Sequence, residues 1–65
     1  MSEITKRALA TSLKKLLSQK ELTKIFIKDI TDDCGIQRQT FYYHFEDVYD
    51  LIEWIYTNEV IKPII

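Results

Sequence analysis

The stretch Cys34-Gly35-Ile36-Gln37-Arg38-Gln39-Thr40-Phe41-Tyr42-Tyr43-His44-Phe45 decides how this chain is read. It is a glycine-containing break followed by a short segment crowded with polar and aromatic side chains. Phe41 and Phe45 stand four residues apart, the spacing of one helical face, so they form the core pair of a helix over about Arg38 to His44. The other faces must then carry Arg38, Gln39, Thr40, Tyr42, Tyr43 and His44. A two-turn helix that leaves so many donors and rings outside is poorly explained by packing alone. Arg suits guanine, Gln suits adenine, and a Thr methyl suits thymine. Tyr hydroxyls and imidazole suit phosphate oxygens.

Upstream of the break, Ile27, Ile30 and Cys34 share one face of a second helix, about Ile27 to Cys34, with Lys28, Asp29, Asp32 and Asp33 turned outward. Gly35 ends it, because glycine accepts the positive φ common just past a helix end. Ile36 then plugs the core from the turn. Two short helices joined across such a break form a helix-turn-helix. Earlier still, Leu9, Leu13, Leu16 and Leu17 give an apolar stripe to a first helix from about Thr5 to Ser18. Gln19 to Lys24 reads as a polar connector, with Leu22 and Ile25 folded over the core.

Downstream, Asp47 is an N-cap for a fourth helix, with Asp50 placed as the acid of a capping box. This helix is expected to run to about Lys62, since Pro63 disfavours helix at the residue before it. Val48, Tyr49, Leu51, Ile52, Trp54, Ile55 and Tyr56 wrap most of its circumference, leaving Asp50, Glu53 and Thr57 as a narrow polar face. So small a domain cannot bury so wide a stripe, so part of this helix is expected to pack on something outside these residues, with Ile61, Ile64 and Ile65 leading into it.

The chain has 65 residues, enough for one small all-α domain. One Cys and one His exclude an internal disulfide and a structural zinc site. No apolar run spans a bilayer and no signal-peptide core is present, so a cytoplasmic location is expected. The net charge of −1 conceals an asymmetry. Residues 1–28 hold seven Lys or Arg against two acids, whereas residues 29–65 hold two against eight. That is either a positive footprint on one side of the fold or a pair of solvated helix faces.

The region from Ile25 to Ile55, and Thr40-Phe41-Tyr42-Tyr43-His44-Phe45 most specifically, resembles the DNA-binding domain of the tetracycline-repressor (TetR) family of regulators. Gln37 to Tyr42 together with Leu51-Ile52-Glu53-Trp54-Ile55 is similar to the branch that regulates dihydroxyacetone-kinase operons. The resemblance implies a helix-turn-helix domain over 1–46. It implies a fourth helix, 47–65, leading to a ligand-binding and dimerisation domain beyond Ile65. It also implies a homodimer on double-stranded operator DNA and, for that branch, a protein co-regulator. Arg38, Gln39, Thr40 and Tyr42 match positions that approach bases or adjacent phosphates. Tyr42, Tyr43 and His44 match positions that grip the backbone, and Lys28 lies where phosphates are held. Three departures remove donors or charge: Gln37 replaces the usual capping Ser, Phe26 a Thr at the start of helix two, and Val48 a Lys at the start of helix four. A weaker phosphate grip is expected in consequence.

Other readings of these residues are blander. Tyr42 and Tyr43 can be rim-of-core aromatics, His44 a structural histidine, and Arg38, Lys6 and Arg7 solvated charges. Cys34 reads as small core filler. Asp29 and Asp33 read as a solvated face, since nothing nearby completes a metal site. No cofactor is expected, and no glycine-rich loop or nucleophile-base spacing points to an enzyme. The alternative to DNA reading is a helical protein-interaction module that uses the apolar face of the fourth helix.

Overall fold

The structure, a computed structural model, describes residues 2–61, with side chains described for 3–60. Among the described residues the architecture is all-α. Helix α1 (Ser2–Leu17) is followed by a 3₁₀ turn (Leu22–Lys24), then α2 (Ile27–Cys34), α3 (Arg38–His44) and α4 (Val48–Tyr56). Helix α4 passes into a π-helical turn, Thr57–Ile61.

Helix α1 packs across α2, α3 and α4 and forms the spine of the domain. Its Leu9, Ala10, Leu13 and Leu16 meet Ile30, Phe41, Phe45, Val48 and Leu51 in a single core. Ile25 closes the edge of that core, with Leu22, Ile27, Cys34 and Ile36 packed against it. Phe41 and Phe45 are both buried, with ring centroids 5.8 Å apart, as their spacing requires. Phe45 also meets Trp54 edge-on at 6.2 Å, which ties α3 to α4.

The turn between α2 and α3 follows from glycine chemistry. Gly35 has φ 72°, and the Thr31 carbonyl accepts from the amides of both Gly35 and Ile36. That left-handed cap turns the chain within three residues and aims α3 away from α2. At α4 the Asp50 amide donates to Asp47 Oδ1 at 2.8 Å. The Asp50 carboxylate accepts from the Glu46 amide at 2.9 Å, one residue earlier than a standard capping box would place it.

The structure corrects several expectations. Helix α1 starts at Ser2 rather than Thr5 and ends at Leu17 rather than Ser18. Leu17 leaves the apolar stripe and is exposed, while Ser12 on α1 and Thr31 on α2 are buried. Both hydroxyls have partners. Thr31 donates back to the carbonyls of Ile27 and Lys28, and Ser12 donates to the Asp33 carboxylate. Asp33 is therefore no bystander on a solvated face. It also accepts from Lys15 Nζ at 2.8 Å and staples α2 to α1. Asp29 likewise accepts from the Phe26 amide at 2.8 Å and pairs with Lys20 at 3.5 Å. The α-helical part of α4 ends at Tyr56, short of the expected Lys62. Lys62, Pro63, Ile64 and Ile65 lie outside the described residues, as does the side chain of Ile61.

Candidate nucleic-acid interface

Helix α3 is held by its inward phenylalanines, which fixes what its other faces show. Arg38 and Gln39 are exposed, and Thr40 and His44 are half-buried. Tyr42 is 58% exposed and Tyr43 85%, values that no core role accounts for. Tyr42 stands edge-on to Phe41 with centroids 5.8 Å apart, so one edge of its ring is braced by the core. Tyr43 and His44 form a second edge-on pair at 5.2 Å. The rim-of-core reading fails for Tyr43 and holds only for the inner edge of Tyr42. Gln37 precedes the helix without a side-chain cap, as expected where a short hydroxyl is missing.

The candidate residues separate into groups. Lys28, Arg38 and Tyr42 line one open cleft of about 470 Å³, floored by Ile25, Ile27 and Val48 and walled by Phe26 and Tyr49. His44 lies on a different depression, beside Lys6, Trp54 and Asn58. Gln39, Thr40 and Tyr43 line neither of these and stand on the outward surface of α3. Lys6, read from sequence as solvated, thus shares a surface with His44. From sequence, Phe26 is only a lost donor at the start of α2 and Tyr49 only part of the α4 stripe, yet both line this cleft. For Phe26 the available signal is a large aromatic in the N-cap position of α2.

Ion pairing sorts the cations. Arg7 pairs with Glu3 at 3.5 Å, Lys14 with Glu59 at 2.8 Å, Lys15 with Asp33 and Lys20 with Asp29. Lys28 and Arg38, with Lys6 and Lys24, have no ion-pair partner among the described residues. Much of the positive charge of the first 28 residues is thus answered by acids of the second half. The unanswered cations include the two at the α2–α3 cleft. The Lys15 ammonium, aided by the Ser12 hydroxyl, holds the Asp33 carboxyl below its ordinary value. The Phe26 amide, aided by Lys20 and Lys28 and opposed by partial desolvation, does the same for Asp29. Cys34 donates its thiol to the Ile30 carbonyl at 3.3 Å. Among the described residues no cluster of His, Cys, Asp and Glu could hold a metal ion, and no helix is long and apolar enough to cross a membrane.

No family model matches this chain. A curated relative, the HTH-type dhaKLM operon transcriptional activator DhaS of Lactococcus lactis subsp. lactis (strain IL1403), is 34% identical over 58 residues, covering 89% of this chain and 31% of the relative. A solved structure described as the dihydroxyacetone kinase operon activator DhaS superposes with a TM-score of 0.84 at 34% identity, covering 86% of this chain and 32% of that one. The chain therefore spans just under a third of the length of these relatives. In sequence and in fold alike, it is similar to part of a helix-turn-helix transcriptional activator.

Proposed function

We propose that this chain binds double-stranded DNA sequence-specifically, as the DNA-reading part of a transcriptional regulator of the tetracycline-repressor type. One observation carries the reading: α3 is anchored by two buried phenylalanines and turns Arg38, Gln39, Tyr42 and Tyr43 to solvent. In a helix-turn-helix the second helix enters the major groove and reads bases from its N-terminal residues. Arg38, Gln39 and Thr40 would meet base edges there. Tyr42, Tyr43, His44 and Lys28 would hold the flanking phosphates. The relatives are regulators rather than enzymes, and the kinase in their names belongs to the operon they control, which supports a binding function here.

On this reading residues 1–46 form the DNA-binding domain, and 47–65 lead into a dimerisation and ligand-binding domain. Two copies would place their α3 helices in successive major grooves, about 34 Å apart. A second reading has its own observation. Tyr56 and Val60 are 56% and 48% exposed at the end of α4 and on its π-helical extension, so this surface suits a protein neighbour. That neighbour would be the dimerisation domain or a separate co-regulator.

The test is selection from a pool of random duplexes at two salt concentrations. It uses the chain and a version dimerised through its C-terminus, beside Arg38→Ala and Tyr42→Phe. The DNA reading expects the dimer to enrich a palindromic site, with enrichment lost in the variants and weakened by salt. A folded dimer that enriches nothing at low salt contradicts it, and leaves the protein-interaction reading of α4.

A further inference from the structure

The cleft between α2, α3 and the start of α4 combines features that phosphate contacts alone do not explain. Its rim carries Lys28 and Arg38, neither paired with an acid among the described residues. Its walls are apolar and aromatic: Phe26 is 66% exposed, and Tyr42 and Tyr49 stand open beside it. Asp47 also lines the cleft, its Oδ1 accepting from the Asp50 amide at the start of α4, so the lining carries two cations against one carboxylate. An occupant must therefore be anionic at the rim and apolar between its charges. It must also run past the cleft, which is open to solvent. A sugar-phosphate strand has that alternation, with phosphates separated by the largely apolar faces of deoxyribose.

We propose that Phe26 and Tyr49 in this cleft pack against the deoxyriboses that adjoin the phosphate held by Lys28 and Tyr42. The inference rests on the DNA-binding reading and adds a contact to it. Phe26, at the start of α2 where a hydroxyl donor would be usual, becomes a contact of a different kind rather than a lost one. Apolar contacts displace water but release no counterions, whereas a cation on a phosphate does. The two contributions separate in the salt dependence of binding.

The experiment measures fluorescence anisotropy of the duplex enriched by selection, titrated with the 65-residue chain across a salt series starting low. Phe26→Ala is expected to weaken binding about threefold to tenfold with the salt slope unchanged, and Phe26→Leu to retain most of the affinity. Lys28→Ala is expected to weaken binding and reduce the slope by ~0.9. Because Phe26 is exposed, circular dichroism should show an unchanged fold in its variants. Parent-like binding by Phe26→Ala, with Lys28→Ala impaired, overturns this inference and leaves the DNA reading intact. Failure of the parent chain to bind the duplex at low salt overturns both.

Discussion

Two charged regions of this molecule behave in opposite ways. Between α1 and α2, Lys15 meets Asp33 and Ser12 reaches the same carboxylate, while Lys14 reaches across to Glu59. At the α2–α3 cleft, Lys28 and Arg38 stand beside exposed aromatic rings, and neither forms an ion pair among the described residues. The first region uses charge to hold helices together, and the second leaves it free for an anion. A chain with a net charge of −1 can therefore still leave cations unpaired at one cleft, because several of its acids pair with other lysines.

The largest disturbance would remove what both regions rest on. Phe41 is fully buried under α1, and Phe41→Ala should cost about 3–5 kcal/mol, enough to unfold a domain this small. Urea denaturation followed by circular dichroism checks it. Next, the two regions should part company in DNA binding. Arg38→Ala is expected to lose about 1–3 kcal/mol of affinity for the enriched duplex. Lys15→Ala should leave that affinity nearly unchanged, and parallel anisotropy titrations would decide. Equal losses would erase the distinction between the two regions.

Gly35→Ala should destabilise by about 1–2 kcal/mol, since a Cβ disfavours φ 72° although the space around it is open. Thermal melting measures this. The subtlest effect concerns acid. Folding holds the Asp33 carboxyl, chiefly through Lys15, and the Asp29 carboxyl, chiefly through the Phe26 amide, below their usual value of 3.8. A carboxylate depressed in this way contributes stability that is complete above the unfolded value and is lost as pH falls through the folded one. Stability should therefore decline below about pH 3.8, and Asp33→Asn should flatten part of that decline. Urea midpoints measured from pH 6 down to 2 would show it.

How far the sequence reaches follows the same division. Helices α2 and α3 lie where periodicity and Gly35 place them, because a short amphipathic run with a glycine stop is local information. Phe41 and Phe45 enter the core, and the exposure of Tyr43 follows from the same helical spacing. Ser12 and Thr31 defied the pattern because their burial depends on partners, the Asp33 carboxylate for one and backbone carbonyls for the other. Which lysines are paired was equally illegible, since Lys14 and Glu59 are 45 residues apart. The π-helical turn after Tyr56 gave no compositional warning. In the sequence Phe26 shows only a missing donor, because its nearness to Lys28, Arg38 and Tyr42 exists only once the helices are packed.

If this chain reads DNA as proposed, the outward face of α3, with Lys28, should meet the duplex and the α1–α2 ion-pair face should not. Amide and side-chain NMR spectra of the labelled chain, titrated with the enriched duplex, test it residue by residue. The largest shifts are expected at Lys28, Arg38, Gln39, Tyr42, Tyr43 and His44, with Lys14 and Lys15 nearly still. Shifts concentrated on α1, or none at α3 when the duplex is saturating, would contradict it.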